Sequence, residues 1–353
     1  MPSPDSSLIK KVKIVAVRTE TPQSKTFVLE PLDGWQPEYQ AGQFLTFVFQ
    51  TPYGEKRRSY SISSAPQLGE PLSITVKKVD NGEFSRFLVY QVKPGDILYT
   101  SGISGFFLLP AKTLGIEQFF FLAAGSGITP CFSLIKTILA TTAQQVVLIY
   151  SNKSEEDAIF LQALLDLQQH YKDRFTVRFL YSNRFNVYHS RLSKWLLLHL
   201  LQEYPIVSKD KVYFYLCGPF DYMQTLRITL LGESIPATHL VKEDFSSLPR
   251  LVIPKPPDTS MHQVTLKLAH KSYQLTVQYP QSILAAAKTQ HIDLPYSCEA
   301  GRCGSCVATC TRGKVWMAYN EVLTDQEIAK GRILTCQSFP IEGDADISFP
   351  EMM

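Results

Sequence analysis

The first third of the chain is built from short runs in which apolar and polar residues alternate. KVKIVAV (11–17), KTFVLE (25–30), QFLTFVF (43–49) and LSITVKKV (72–79) are rich in Val, Ile, Phe and Thr. The turn pairs Asp33-Gly34 and Asn81-Gly82, and the triplet Pro94-Gly95-Asp96, punctuate the region. Evenly spaced short strands separated by turn residues predict an antiparallel barrel or sandwich over 1–112. The pattern then changes. QFFFLAA (118–124) is continuously apolar, as a strand buried on both faces would be. VVLIYS, FTVRFLYS and KVYFYLCG follow, alternating with helical patterns around 157–170, 190–201 and 219–231. That alternation predicts a parallel sheet flanked by helices over 113–245. Residues 246–262 hold four prolines and read as an extended linker. A third unit, 263–353, opens with two alternating strands (VTLKLA, SYQLTV) and a helix (SILAAAKTQ).

The 353-residue length suits this three-unit division, and 45% hydrophobic residues can supply separate cores. The formal net charge of +3 is too small to argue for nucleic acid or an anionic membrane as partner. No apolar run approaches the length of a membrane span, and MPSPDSSLIKKVKIV lacks the apolar centre of a secretory leader. A cytoplasmic location is expected.

Seven cysteines is an odd number, and they crowd toward the C-terminus. In a chain read as cytoplasmic, such a cluster points to a metal centre before disulfides. Cys298, Cys303 and Cys306 have the spacing C-x4-C-x2-C, with Cys336 further on. This is the plant-type arrangement for a [2Fe–2S] cluster, which needs two thiolates on each iron. Ala300, Gly301, Gly304 and Ser305 are small enough for the loop to wrap closely, with backbone N–H groups donating to sulfur. Zinc is the competing metal, but zinc ribbons use paired C-x2-C knuckles and only one such pair is present. Cys310 falls outside the spacing and reads as a core residue. The stretch from Tyr296 to Cys306, with Arg332-Ile-Leu-Thr-Cys336-Gln, resembles a plant-type ferredoxin domain, which implies an α+β β-grasp fold for the third unit.

The segment Arg57-Arg58-Ser59-Tyr60-Ser61 resembles the R-x-Y-S motif of the ferredoxin–NADP reductase superfamily. The resemblance implies FAD, with Arg58 pairing with its diphosphate, Tyr60 packing on the isoalloxazine and Ser61 hydrogen-bonding near N5. Downstream, Val76, Lys78, Gly82 and Ser85 resemble the superfamily's G-x-x-S diphosphate turn, which opens a short helix. Gly102-Ile-Ser-Gly105-Phe-Phe107 resembles the turn that closes that domain.

Gly125-Ser126-Gly127-Ile-Thr129-Pro130 follows the buried strand. A glycine turn between strand and helix offers amides to a diphosphate, and proline suits the first helical turn. The G-x-G-x-x-P form is that of the same superfamily. So is Cys217-Gly218-Pro219, a turn that the resemblance sets beside the nicotinamide, where Cys217 positions the ring. Glu243-Asp244-Phe245 resembles the acidic–aromatic end of the nicotinamide domain. Lys153, Ser182, Asn183, Arg184 and Arg191 follow strand ends where a 2′-phosphate would lie, which leaves NADPH and NADH both open. Relatives often have Asn-Arg where this chain has Asn152-Lys153.

The unit order resembles that of oxygenase reductases, including those serving phenylacetyl-CoA epoxidase, ketosteroid hydroxylase and hybrid-cluster protein. It implies electron flow from NAD(P)H through FAD to the cluster and on to a protein acceptor, a non-haem iron oxygenase, hydroxylase or desaturase. A zinc-stabilised interaction module on a flavoprotein, or a redox sensor without rapid turnover, are the other readings the residues leave open.

Overall fold

The computed structural model describes residues 8–111, 115–183, 190–246, 252–268 and 271–349. Each of the three expected units contains one sheet.

In the first, strands β1 (Lys10–Thr21), β2 (Ser24–Pro31), β3 (Phe44–Thr51), β4 (Gly54–Ser61), β5 (Ser73–Lys77) and β6 (Ile97–Ser104) form an antiparallel sheet in the order β4-β3-β6-β1-β2-β5. A bridge between Ile62 and Ile74 brings the two edges together and closes the barrel. The strand pleat sends Val12, Ile14, Phe27, Leu45, Phe47 and Ile74 into the interior. Helix α1 (Glu83–Tyr90) follows the Asn81-Gly82 turn and caps the barrel with Leu88 and Val89.

The second unit is a parallel sheet of β7 (Gln118–Ala124), β8 (Gln145–Asn152), β9 (Phe175–Tyr181), β10 (Val212–Cys217) and β11 (Leu240–Glu243), ordered β11-β10-β7-β8-β9. The apolar run of β7 sits at its centre and feeds two cores. Phe119, Phe121 and Ala123 join α2 (Ile128–Thr141) and α3 (Leu161–His170) on one face. Phe120 and Leu122 join α4 (Lys194–Glu203) and α5 (Phe220–Gly232) on the other. The helices start within a few residues of where the hydrophobic period set them.

In the third unit β12 (His262–Leu268), β13 (Lys271–Val277), β14 (Val307–Met317), β15 (Arg332–Leu334) and β16 (Ser338–Ser348) form a mixed sheet ordered β13-β12-β16-β14-β15, with β12 and β16 parallel. Helix α6 (Ile283–Thr289), capped by the Ser282 hydroxyl, lays Ile283, Leu284, Ala286 and Ala287 on it, as in a β-grasp. A short helix α7 (Asp325–Ala329) opens with a capping box between Thr324 and Glu327. Leu8, which the sequence pattern assigned to the first unit, is buried in this third core.

The units are docked. Phe107 of the first enters the core of the second and meets Tyr215 edge-on at 5.2 Å. The Ser133 hydroxyl of α2 donates to Ser64 O at 2.7 Å, and Lys136 pairs with Glu70. No helix among the described residues is long and apolar enough to cross a membrane.

Candidate functional site

Where the three units meet, a cleft of about 1610 Å³ runs from β4 of the barrel, past the start of α2, to the cysteine loop. Its walls follow from strand geometry. Along β4, Arg58 and Tyr60 lie opposite Phe47 and Leu45, whereas Arg57, Ser59 and Ser61 lie opposite Val48, Thr46 and Phe44. Residues directly across a ladder share a face, so the two sets point to opposite sides. The Arg58 guanidinium lies 5.2 Å from the Phe84 ring of α1 and donates to Arg57 O at 2.7 Å. Tyr60 is partly buried at the cleft wall, and burial pushes its phenol well above the ordinary range. The Ser61 hydroxyl lines the cleft, yet it is buried and has no hydrogen-bond partner among the described residues. A buried hydroxyl without a partner costs stability unless a ligand satisfies it.

At the end of β5 two neighbouring lysines diverge, Lys77 in the strand and Lys78 just beyond it. Thr75 and Lys77 line the cleft, while Val76 is 1% exposed in the barrel core. Lys77 Nζ lies 3.7 Å from the point where a Gly125 Cβ would sit, so this amine reaches over the glycine turn. Lys78, the lysine singled out from the sequence, instead pairs with Asp80 at 3.5 Å and approaches the Tyr90 ring. Nothing in the local sequence distinguishes the two. Gly82 and Ser85 are both in the cleft wall, with the Ser85 hydroxyl accepting from Val79 N at 3.1 Å and donating to Gly82 O.

The glycine turn lies at the C-terminal end of β7, next to the end of β10, because the two strands are parallel neighbours. A Cβ on Gly127 would fall 2.0 Å from Cys217 O, so only glycine allows this approach. Ser126 and Thr129 face the cleft, and the Thr129 hydroxyl donates to Ser126 O at 2.9 Å. Pro130 is buried in the first turn of α2. Gly218 is pressed between Ala124 and the Tyr222 ring, and Pro219 caps α5. The Cys217 thiol is fully buried, and burial raises its pKa well above normal. It is neither ionised nor exposed, which leaves shape as its contribution. Glu243, Asp244 and Phe245 line the cleft beside it, and burial, then Asp244, pushes the Glu243 carboxyl up to about 8.

Lys153 and Asn183 line a separate cleft at the ends of β8 and β9, with Ser154, Glu155, Glu156 and Asp157. Arg184 lies outside the described residues.

The four expected ligand cysteines converge in pairs. Cys298 lies beside Cys303, and Cys306 beside Cys336. Among the described residues no three His, Cys, Asp or Glu side chains converge as a single-ion site. Four thiols in two pairs match a two-iron cluster, which takes two thiolates on each iron. Cys303 and the backbone N–H groups of Ala300, Arg302 and Cys303 hold the Cys298 thiol below its ordinary range despite its burial. Cys298 and Cys303 border the cleft, while Cys306 and Cys336 are buried behind them. Asn320 folds the following loop over the site, accepting from Val322 N and Leu323 N. Cys310 is a partly exposed strand residue of β14.

A barrel with an unsatisfied serine, a parallel sheet with a glycine turn and four paired thiols around one cleft define an NAD(P)H-dependent flavin and iron–sulfur reductase. The comparisons agree. Residues 12–108 match the family model for an oxidoreductase FAD-binding domain, 121–227 that for an oxidoreductase NAD-binding domain, and 266–340 that for a 2Fe-2S iron-sulfur cluster binding domain. The ferredoxin reductase component of 3-ketosteroid-9-alpha-monooxygenase from Mycobacterium tuberculosis is 32% identical over 97% of this chain and 96% of its own. A component of the 1,2-phenylacetyl-CoA epoxidase from Escherichia coli is 29% identical over 95% of this chain and 96% of its own. The chain belongs to this family of oxygenase reductase components, which carry FAD, NAD(P)H and [2Fe–2S] domains and pass electrons to oxygenases. Among solved structures, phthalate dioxygenase reductase has the same fold (TM-score 0.59, 23% identity, 97% of this chain and 98% of that one).

Proposed function

We propose that this chain reduces a separate non-haem iron oxygenase, hydroxylase or desaturase, taking its electrons from NAD(P)H. The observation that carries the electron path is the single cleft bordered by Ser61, by Ser126 and Thr129, and by Cys298 and Cys303. The acceptor class is supported by relatives named for a ketosteroid monooxygenase, a phenylacetyl-CoA epoxidase and a glycine betaine monooxygenase.

In this reading Arg58 and Lys77 neutralise diphosphate charge, and the amides at the start of α1, after Gly82, add hydrogen bonds with Ser85. Tyr60 supplies a flat apolar wall for the flavin. Ser61 gives its unpartnered hydroxyl to the flavin nitrogen that accepts hydride. The turn from Gly125 to Pro130 holds the NAD(P)H diphosphate, and Cys217, Gly218 and Pro219 shape the nicotinamide pocket. Cys298, Cys303, Cys306 and Cys336 ligate the cluster. FAD, when bound, takes two electrons as hydride and releases them singly, which the cluster requires. The protein's task is then position and exclusion of water.

The test is an anaerobic visible spectrum of the purified protein, titrated separately with NADPH and NADH, with iron and acid-labile sulfide assayed on the same sample. Flavin and iron–sulfur bands that both bleach support the reading. A flavin band without iron would remove the cluster from it, and zinc without sulfide would replace the cluster by a structural ion.

A further inference from the structure

The arginine just before the motif, Arg57, has no part in the flavin reading, and the strand pleat turns it away from Arg58. Its side chain is almost fully buried, and it is engaged with the cysteine-bearing unit. Arg57 Nη1 donates to Leu294 O at 3.2 Å and lies 3.5 Å from Tyr296 O. Its guanidinium stacks 3.9 Å from the centre of the Tyr296 ring. Arg57 Nε pairs with Glu55 at 2.7 Å, and the Tyr296 hydroxyl donates to the same carboxylate oxygen at 3.3 Å. One residue pair further along, the Ser59 and Ser297 hydroxyls meet at 2.6 Å. Tyr296 and Ser297 immediately precede the first cluster cysteine.

A buried guanidinium is costly unless its charge and its N–H groups are all satisfied. Here one carboxylate within the barrel and two carbonyls across the interface share that work. A planar fork can meet these partners and a ring face at once, which an ammonium cannot. The rest of the interface repeats the theme: Ser104 meets Ser305 at 3.1 Å, and Phe106 packs where a Cβ on Gly304 would fall 2.5 Å from its ring.

We propose that Arg57 is the positioning residue for electron transfer between flavin and cluster. Strand β4 carries Arg58 and Tyr60 on one face and, on the other, the docking residues Arg57 and Ser59 followed by Ser61, so the flavin contacts and the dock for the cluster loop share one rigid element. The inference rests on the functional reading above. The step it governs moves one electron from the reduced flavin to the cluster, and Arg57 itself gains or loses nothing.

The experiment compares the full-length holoprotein with Arg57→Gln and Arg57→Lys. Anaerobic stopped-flow absorbance separates flavin reduction by NAD(P)H from cluster reduction, and hydrogen exchange follows residues 292–298. Arg57→Gln is expected to leave the flavin phase and the cluster content unchanged, slow the cluster phase about tenfold or more, and raise exchange across 292–298. Arg57→Lys, keeping the charge without the fork, is expected to fall between. An unchanged cluster phase, or unchanged exchange in Arg57→Gln, overturns the proposal. Exchange needs no nicotinamide, so it tests the dock even where the flavin phase is absent, a result that would count against the functional reading instead.

Discussion

Gly127→Ala is the sharpest perturbation of the nicotinamide site. A Cβ there would lie 2.0 Å from Cys217 O and 2.5 Å from Cys217 C, both backbone atoms between buried strands. Neither can rotate away as a side-chain tip would. Relief needs about 1 Å of separation between the glycine turn and the end of β10, and a misplacement of that size can cost on the order of a hundredfold in rate. Flavin reduction by NAD(P)H, followed at 450 nm under anaerobic conditions, is therefore expected to slow by about ten- to a hundredfold. Flavin and iron content should stay at wild-type levels, because Gly127 lies against Cys217 and Gly218 and not against Arg58 or the four cluster cysteines. Gly232→Ala is the control: it ends α5 with open space around its Cβ position, so activity should be unchanged. A Gly127→Ala protein that reduces its flavin at the wild-type rate would refute the idea that this close approach shapes the nicotinamide pocket.

Ser61→Ala removes a buried hydroxyl that has no hydrogen-bond partner among the described residues. The thermal midpoint of the apoprotein should hold or rise slightly, while flavin reduction slows about tenfold or more; equal slowing with loss of bound FAD would point to a binding role only. Cys303→Ser should abolish labile sulfide and the iron–sulfur bands yet leave NAD(P)H-driven flavin bleaching intact, as absorbance and sulfide assays would reveal. Glu243 has its carboxyl raised to about 8, so the folded state binds a proton that the unfolded chain releases above about 4.5. Its contribution to stability is complete below that lower value and is lost as pH rises through about 8. Calorimetry of Glu243→Gln from pH 5 to pH 9 (a chosen range of about four units) should show a flatter fall in the unfolding midpoint than wild type.

The chemistry of this protein was largely legible in its sequence where it depends on local spacing. C-x4-C-x2-C needs only a short loop to bring thiols together, and the structure pairs Cys298 with Cys303 accordingly. The apolar run of β7 marked a strand covered on both faces of a sheet, and six of its seven residues are buried. The alternating segments of the first unit announced an antiparallel barrel or sandwich for the same reason of period.

What the sequence could not decide is which member of an adjacent pair faces the cleft and which unit a distant residue serves. A strand slipped by one residue exchanges its faces, so which of Arg57 and Arg58 turns toward the cluster loop is open until the ladder with the neighbouring strand is known, and Lys77 and Lys78 are told apart only by where β5 ends. Leu8 begins the chain's described part yet completes the core of the last unit, a contact no local pattern encodes. The unpartnered Ser61 hydroxyl is likewise a property of everything packed around it. The sequence alone pointed to a flavin, a nicotinamide and a cysteine-bound metal centre and to the order of the units, because those follow from neighbours along the chain. The tertiary structure decided how the units share one cleft and one strand, because that depends on register and on groups hundreds of residues apart.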